Sequence, residues 1–397
     1  MMVERDIYRW IINRIERDEV LVITGARQVG KTTLMKEVER NLRSKGKATL
    51  FINLEDKDYL GMLNESPKNL LRLLKNEKTF VFVDEVQYLN DPSGLIKYIY
   101  DEHRDRIKLI VSGSSAFYMD RKFRDSLAGR KRLVLLGTFS FREFLRAKEK
   151  EGLIEQYDLL PVKREILALL EEYAIYGGYP RVVLEENPRE KREILRELIN
   201  SYAKKDALGM DIKEEYKFFQ LMKLLAGRTG MLVNKSELSS TLGVSITMID
   251  NYLYLMEKAF YVSFISPFYR NRTKEITRRK KVYFMDTGLR NALVNDFKPL
   301  EERNDVEKGQ VVENLFFKML LDAYSPEDIK FWRSKGGAEV DFVLEEKTAW
   351  EIKYRIKRKK YGDFEKKYGI KVQVLNFENL VEFYKRLMEG HPENPLF

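Results

Sequence analysis

Residues 25–32 have the composition and spacing of a phosphate-binding loop. The segment reads GARQVGKT, with a glycine at its first and sixth positions and then Lys31 and Thr32. Glycines let successive backbone N–H groups turn towards one phosphate, while the ammonium and the hydroxyl suit the terminal phosphates and a magnesium ion. The sequence therefore predicts a nucleoside triphosphate site that takes ATP and Mg²⁺. The residues of this predicted site are Gly25, Arg27, Gln28, Val29, Gly30, Lys31, Thr32 and Thr33.

Two acidic residues end an apolar run further along the chain, in the segment FVFVDEVQ. If this strand lies beside the strand that precedes the loop, Asp84 would hold magnesium together with Thr32. Glu85 would then polarise the attacking water, which is the catalytic role that ATP hydrolysis requires. The alternative is an acidic strand end that caps the following helix.

Two further polar residues are candidates for the same site. Ser114, or else Ser112, follows the apolar run IKLIVS and is expected to sense the terminal phosphate, although ordinary turn chemistry is the alternative. Arg130, in LAGRKR, lies where an oligomeric ATPase would project an arginine into the site of a neighbouring subunit. This role implies a homo-oligomer, and a solvated surface arginine is the alternative.

A second acidic constellation lies near the C-terminus, in the segment EVDFVLEEKTAWEIK. Asp341, Glu351 and Lys353 fit the D-x(6–30)-(D/E)-x-K spacing of metal-dependent nucleases, on a predicted β-hairpin. Glu313 flanks the apolar stripe of a predicted helix upstream and could lean into the same site. Glu313, Asp341 and Glu351 would bind Mg²⁺ while Lys353 orients the attacking water, so that the site hydrolyses phosphodiesters. An inert binding module with the same fold is the alternative.

The elements that must position these residues are predicted from hydrophobic periodicity. Short, nearly continuous apolar runs alternate with helical patterns in the first part of the chain, which is typical of strands buried on both faces of a parallel α/β sheet. The predicted strands are 20–24, 48–53, 79–84, 107–112 and 133–137. Residues 160–225 have helical periodicity without clear strands.

Residues 216–300 show a different pattern. The segment SELSSTLGVSITMIDNYLYLMEKA predicts a helix, a glycine-containing turn and a second helix, with Ser236 and Ser245 as N-caps. Two strand-like runs joined by a basic segment follow, which together favour a winged helix. The basic residues of 270–281, Lys281 among them, would form a wing tip that contacts DNA phosphates, and a second basic run covers 354–360. A solvated surface or a protein-binding winged helix is the alternative.

Composition limits the possible classes of function. The chain has 397 residues and a formal net charge of +10, which favours an anionic partner such as DNA. It contains no cysteine and only two histidines, so disulfides, thiolate metal sites and iron–sulfur clusters are excluded. The charged N-terminus is not a signal peptide, and no apolar run is long enough to span a bilayer. These features predict a cytoplasmic protein without a membrane partner.

Several segments together resemble a known family. They are GARQVGKTTL, FVFVDEVQ, VSGSS, LAGR followed by FSFREFL, and YGGYPRVV. They are similar to segments of an archaeal and bacterial AAA+-type ATPase family whose C-terminal domain of unknown function has a restriction-endonuclease-like core. The resemblance implies an α/β protein with an AAA+-type parallel-sheet core, a helical lid, a winged helix and a nuclease-like α/β domain. The expected bounds are 1–155, 156–215, 216–300 and 301–397.

Motifs and resemblance together predict an ATP-binding and ATP-hydrolysing protein that binds or processes DNA, with ATP and ADP as ligands. Two alternatives remain open. One is a nucleotide-dependent regulatory switch, and the other is a remodelling ATPase whose nuclease-like domain is inactive.

Overall fold

The computed structural model describes residues 3–75, 77–113, 129–209, 214–269, 275, 278–334, 336–345, 347–354 and 361–390, with the backbone alone for 201–209. The chain forms two compact units. The first comprises residues up to Gly137 together with Lys258–Phe260, and the second comprises Thr138–Glu257 and the residues from Tyr261 onward. No helix in these described ranges is long and apolar enough to cross a membrane.

The first unit is a five-stranded parallel sheet with the strand order β2-β3-β4-β1-β5. Its strands are β1 Val20–Thr24, β2 Ala48–Asn53, β3 Thr79–Asp84, β4 Ile107–Gly113 and β5 Lys131–Leu135. Its helices are α1 Asp6–Arg14, α2 Lys31–Ser44, α3 Lys57–Glu65 and α4 Pro92–His103. The predicted parallel α/β sheet is confirmed, and the predicted strand bounds agree with the observed ones within two residues.

Burial explains why these runs form strands. Every residue of β1, β3 and β4 is buried, as expected for strands covered on both faces. One detail of the expected order is wrong, because β4 lies between β1 and β3. The strand that ends in Asp84 is therefore not the direct neighbour of the strand that leads into the phosphate loop.

The second unit begins with helices and ends with a mixed α/β region. Its helices are α5 Phe141–Ala147, α6 Leu160–Tyr176, α7 Pro180–Val183, α8 Pro188–Gly209, α9 Glu215–Ala226, α10 Lys235–Leu242, α11 Ile246–Lys258, α12 Thr287–Leu293, α13 Asp305–Leu321, α14 Gly362–Tyr368 and α15 Leu380–Gly390. Its strands are β6 Val262–Pro267, β7 Lys281–Phe284, β8 Ile329–Arg333, β9 Glu339–Leu344, β10 Thr348–Ile352 and β11 Val372–Leu375.

The helix–turn–helix segment consists of α10, a turn and α11. Gly243 ends α10 in the left-handed conformation with φ 65°, where a glycine has no steric penalty. Ser245 caps α11, since its Oγ accepts a hydrogen bond from the backbone N–H of Met248 at 3.1 Å. The predicted cap at Ser236 is wrong, because this residue lies inside α10 and the N-cap position belongs to Asn234.

The strands expected to form a wing belong to a larger sheet. β6 and β7 pair antiparallel, and β6 also pairs in parallel with β8, which gives a six-stranded sheet with the order β11-β10-β9-β8-β6-β7. Backbone hydrogen bonds therefore join the predicted wing strands to the C-terminal region, across the expected boundary at residue 300. β9 and β10 pair antiparallel, so the predicted C-terminal hairpin is present.

The FSFREFL and GGYP segments contact each other within the second unit. The backbone N–H of Phe139 donates to Gly178 O at 2.7 Å, and the Tyr173 hydroxyl donates to Phe139 O at 2.6 Å. A β-carbon at Gly178 would lie 2.4 Å from Phe139 O, so only glycine fits there. Asp286 accepts a hydrogen bond from Gly178 N at 2.8 Å. These contacts explain why the first unit ends at Gly137 and not near the expected residue 155.

Candidate functional site: a phosphate loop and a separate acidic cluster

Two glycines give the phosphate loop its conformation. Gly25 has φ 150°, and a β-carbon there would lie 2.0 Å from Leu136 O on the strand end beside the loop. Gly30 has φ 96° in the left-handed region and leads directly into α2. A loop between a buried strand and a helix N-terminus directs backbone N–H groups at one point, which is the arrangement that binds phosphate.

Arg5 holds the phosphate loop in place, and the sequence analysis did not predict this role. Its guanidinium donates to Val29 O at 2.7 Å and to Gly137 O at 2.8 Å, and the residue is only 6% exposed. A guanidinium that bridges two backbone carbonyls fixes the loop against the end of the sheet. No sequence motif marks this residue, because one arginine before an amphipathic helix has the same appearance as any surface charge.

Lys31 and Thr32 are the first two residues of α2, and their side chains make polar contacts beside the loop. The Lys31 ammonium donates to the loop carbonyls of Gly25 and Ala26 at 3.1 and 2.8 Å, and the residue is buried. The Thr32 hydroxyl donates to Asp84 Oδ2 at 2.6 Å. The structure thus brings together the loop and the acidic strand end that the sequence predicted, across the intervening strand β4.

Ser112 organises the acidic pair. Its hydroxyl donates to Asp84 Oδ1 and accepts a hydrogen bond from the backbone N–H of Glu85 at 3.2 Å. Glu85 has φ 59°, which is unusual for a residue with a side chain, and its carboxylate accepts a hydrogen bond from Gln87. Of the two serines considered, Ser112 makes these contacts, whereas Ser114 lies outside the described residues.

Oxygen ligands around Thr32 and Asp84 match what Mg²⁺ prefers. A hydroxyl and a carboxylate lie within 2.6 Å of each other beside the phosphate loop, with a second hydroxyl on the same carboxylate. Asp84 is 1% exposed, and its two hydrogen bonds hold the carboxylate in a fixed position. The residues present therefore fit a magnesium ion that arrives with a nucleotide.

The other predicted residues of the loop differ in exposure. Val29 is fully buried and its carbonyl is bound by Arg5, whereas Gln28, with φ 57°, and Thr33 are exposed. Arg27 is half-buried. The loop therefore contributes its backbone and the side chains that follow Gly30, with Val29 as an apolar anchor.

Arg130 lies away from the phosphate loop of its own chain. Its guanidinium pairs with Asp101 at 2.8 Å, and its carbonyl accepts a hydrogen bond from Val20 N at the start of β1. The loop follows the other end of that strand, after Thr24. Arg130 does not complete the site of its own chain, so a role in a neighbouring subunit stays a prediction.

A buried lysine lies at the centre of the C-terminal acidic cluster, which comprises Glu313, Glu339, Asp341 and Lys281. The Lys281 ammonium lies 3.2 Å from Glu313, 2.5 Å from Glu339 and 3.5 Å from Asp341. Its side chain is 2% exposed. The prediction that Lys281 contacts DNA phosphates from a wing tip is therefore wrong, because the β7 strand turns this side chain into the protein.

The remaining predicted residues adjoin this cluster. Asp341 Oδ2 accepts a hydrogen bond from the backbone N–H of Ile352 at 2.9 Å, and Glu351 pairs with Lys353 at 2.5 Å. The Coulombic influence of Asp341, Glu351 and Glu313 outweighs burial and raises the pKa of Lys353. The four predicted nuclease residues thus lie near one another, as the sequence spacing implied.

Burial and charge compete in the cluster. Burial raises the pKa of Glu313 to about 7, although the nearby Lys281 ammonium and a hydrogen bond from Tyr283 act in the opposite direction. Burial lowers the pKa of Lys281, but the surrounding carboxylates, Glu313 first, more than compensate and leave this pKa well above its ordinary value. Lys281 is therefore charged at neutral pH.

These contacts do not fit the expected magnesium site. In the described parts of the chain, no three acidic or histidine side chains are arranged to hold a metal ion. Glu313 and Asp341 each contact the Lys281 ammonium, while Glu351 pairs with Lys353. The structure thus differs from the predicted Mg²⁺ ligands Glu313, Asp341 and Glu351, because one oxygen atom of each carboxylate lies next to a lysine ammonium.

Comparisons with protein families divide the chain into three parts. Residues 17–145 match an AAA domain, residues 167–300 match a domain of unknown function (DUF8612), and residues 308–391 match another domain of unknown function (DUF4143). The AAA match contains the phosphate loop, Asp84 and Glu85. Residues 17–145 are therefore similar to an AAA domain, and this part of the chain contains the parallel sheet and the phosphate loop.

Two relatives that this chain matches over most of their length are named as uncharacterized proteins. The chain is 27% identical to an uncharacterized protein of Haemophilus influenzae, over 89% of this chain and 86% of the relative. It is 24% identical to one from Methanocaldococcus jannaschii, over 89% and 78%. Among solved structures, the Thermotoga maritima RuvB Holliday junction branch migration motor is 16% identical, covering 66% of this chain and 89% of that chain, with a TM-score of 0.34. Such a low TM-score supports no functional conclusion.

Proposed function

We propose that this protein is a Mg²⁺-dependent ATPase that binds DNA and couples nucleotide turnover to that binding. The observation that carries the proposal is the contact of Thr32 with Asp84 at 2.6 Å, beside a loop whose lysine donates to the loop carbonyls of Gly25 and Ala26. A hydroxyl, a carboxylate and an ammonium converge at one helix N-terminus, inside a match to an AAA domain.

Each residue has a role that follows from its position. The Lys31 ammonium, which donates to two loop carbonyls, would exchange these acceptors for the oxygens of the terminal phosphates. Thr32 and Asp84 would hold Mg²⁺, which neutralises charge on the phosphates when it is bound. Glu85 would orient the attacking water, and Ser112 would fix both acidic residues through its two hydrogen bonds.

DNA is proposed as the partner because of a basic groove in the second unit. A groove of about 780 Å³ has Arg278, Arg279, Arg333 and Lys367 along its sides, with the partly exposed Tyr269 beside them. Arg278 and Arg279 are exposed and form no ion pair with any residue that the structure describes. Cationic side chains next to an aromatic ring suit a nucleic-acid backbone with its bases.

ATP hydrolysis is tested with two variants of the first unit. Lys31→Ala and Glu85→Gln should each lower ATPase activity by roughly a hundredfold, since each removes a group that acts on the transition state. Lys45→Ala, an exposed lysine at the end of the same helix, is the matched control and should keep full activity. Equal activity of Lys31→Ala and the control would refute the proposed site.

DNA binding is tested by its salt dependence. The double variant Arg278→Ala/Arg279→Ala should reduce the slope of log affinity against log salt concentration by about 2, because each phosphate contact contributes about 0.9. Arg164→Ala, an exposed arginine on α6, is the control. An unchanged slope would show that DNA does not bind in this groove. If no DNA binds at all while ATP is hydrolysed, the remodelling ATPase that was left open replaces this proposal.

The proposal includes a homo-oligomer in which Arg130 acts on the nucleotide of a neighbouring subunit. Its pairing with Asp101 shows that the guanidinium has a resting partner, which it would exchange for phosphate. Mixing Arg130→Ala chains with Lys31→Ala chains should restore part of the ATPase activity, because a mixed interface can hold one intact site. A mixture that stays inactive would refute this role.

A further inference from the structure

The acidic cluster of the second unit already contains a cation. Lys281, on β7, places its ammonium within 3.5 Å of carboxylate oxygens from α13 and from two positions of β9. In the part of the chain that the structure describes, these carboxylates belong to Glu313, Glu339 and Asp341. Buried carboxylates at such spacing need a positive charge among them, since an unpaired buried charge is strongly unfavourable.

The lysine and a divalent metal would compete for the same oxygen atoms. Glu313 Oε1 also accepts a hydrogen bond from the Tyr283 hydroxyl at 2.5 Å, and Asp341 Oδ2 accepts one from Ile352 N. A metal ion that used these two oxygen atoms would have to displace the hydrogen bonds or the ammonium that they now contact. A metal ion at this position would also lie a few ångströms from a buried ammonium, where charge repulsion is poorly screened.

The strand pairing of the second unit explains how the lysine reaches this position. β7 lies at the edge of the six-stranded sheet, and the backbone of β6 joins it to β8 and β9. The predicted wing strand β7 thus places the side chain of Lys281 in the predicted nuclease site. Lys281 also lies over the Phe331 ring at 5.5 Å, which adds a cation–π contact to its carboxylate partners.

We propose that Lys281 is the resident cation of this cluster, so that the site binds no divalent metal and the C-terminal domain does not cleave phosphodiesters. The ammonium neutralises the carboxylates and ties β7 to α13 and β9. The cluster is a structural device that joins the two parts of the sheet. This inference is independent of the ATP site, so the ATPase proposal can hold or fail separately.

The first test uses Mn²⁺ as a probe, without nucleotide, by isothermal titration calorimetry of the full chain. The wild type and the Asp341→Asn variant should bind the same number of Mn²⁺ ions, because Asp341 has no metal to lose. A Mn²⁺ ion that binds to the wild type and is lost in Asp341→Asn would overturn the inference. Glu339→Gln provides the same comparison at the cluster if Asp341→Asn does not fold.

The second test removes the resident cation. Lys281→Met leaves the carboxylates without their ammonium, so it should gain one Mn²⁺ site and a melting temperature that rises with added Mn²⁺. Lys280→Met changes the exposed neighbour and should behave as the wild type does. In the double variant Lys281→Met/Asp341→Asn the new site should be lost. If Lys281→Met gains no Mn²⁺ site and melts as the wild type does, the inference is wrong.

A nicking assay on supercoiled DNA gives an independent readout. The wild type with Mg²⁺ or Mn²⁺ should leave the DNA intact. Nicking by the wild type that Asp341→Ala abolishes, while Lys31→Ala retains it, would overturn the inference and identify an active nuclease. Far-ultraviolet circular dichroism of the same preparations shows whether the proteins are folded.

Discussion

Removing the guanidinium of Arg5 should loosen the phosphate loop. In the variant Arg5→Ala, the carbonyls of Val29 and Gly137 lose donors at 2.7 and 2.8 Å, and the first of these hydrogen bonds is buried while the second is partly buried. A hydrogen bond to a charged group contributes about 1.5–3 kcal/mol, so the loss of two should cost about 3–6 kcal/mol. The first unit should therefore melt roughly 10 °C lower, because about 1 kcal/mol shifts a domain of this size by a few degrees.

The effect on nucleotide binding follows from the same contacts. Val29 lies inside the loop, so the freed backbone must be ordered again when the triphosphate binds. ATP affinity, measured by isothermal titration calorimetry with Mg²⁺, should fall by roughly tenfold, which corresponds to about 1.4 kcal/mol of reordering.

Two control variants separate this cause from a general loss of charge. Arg9→Ala removes an arginine from α1 whose side chain is 82% exposed, and it should change neither the melting temperature nor the ATP affinity. Arg5→Lys keeps the charge but cannot reach both carbonyls with a fork of donors, so it should give an intermediate result. If Arg5→Ala matches Arg9→Ala in both measurements, the reasoning about the loop support is refuted.

Three further changes have predictable results. Gly25→Ala brings a β-carbon to 2.0 Å from Leu136 O and should lower ATP affinity at least about tenfold in calorimetry, whereas Gly61→Ala, where no atom lies within 4 Å, should not. Burial lowers the pKa of Lys108 from 10.5 to about 8, so the folded state releases this proton first. Relative to Lys108→Met, the wild type should therefore become more stable as the pH rises from 8 to 10.5, by up to about 3 kcal/mol of unfolding free energy measured by urea denaturation. A difference between the two proteins that does not change with pH would contradict this. Asp286→Ala leaves two buried amides without an acceptor, and calorimetric unfolding of the second unit should show a loss of about 2–4 kcal/mol.

The nucleotide site and the first sheet could be predicted because their signals are local. The residues of the phosphate loop are consecutive, and β1, β3 and β4 are short apolar runs buried over their whole length. Asp84 follows one such run directly, so its place at a strand end needed no knowledge of the fold. The order of the strands in the sheet could not be predicted, because the sequence of β4 contains nothing that places it between β1 and β3.

The sequence by itself predicted that Asp341, Glu351 and Lys353 share a hairpin and that Glu313, on a helix upstream, could reach the same site. Only the tertiary structure decided which cation they meet. Lys281 belongs to a basic run that looks like solvated surface, and its burial depends on the pairing of β6 with β8, between residues far apart in the chain. Arg5 is a similar case, since its two acceptors lie 24 and 132 residues away. A side chain's charge can be read from the sequence, but its partners are set by contacts that only folding brings together.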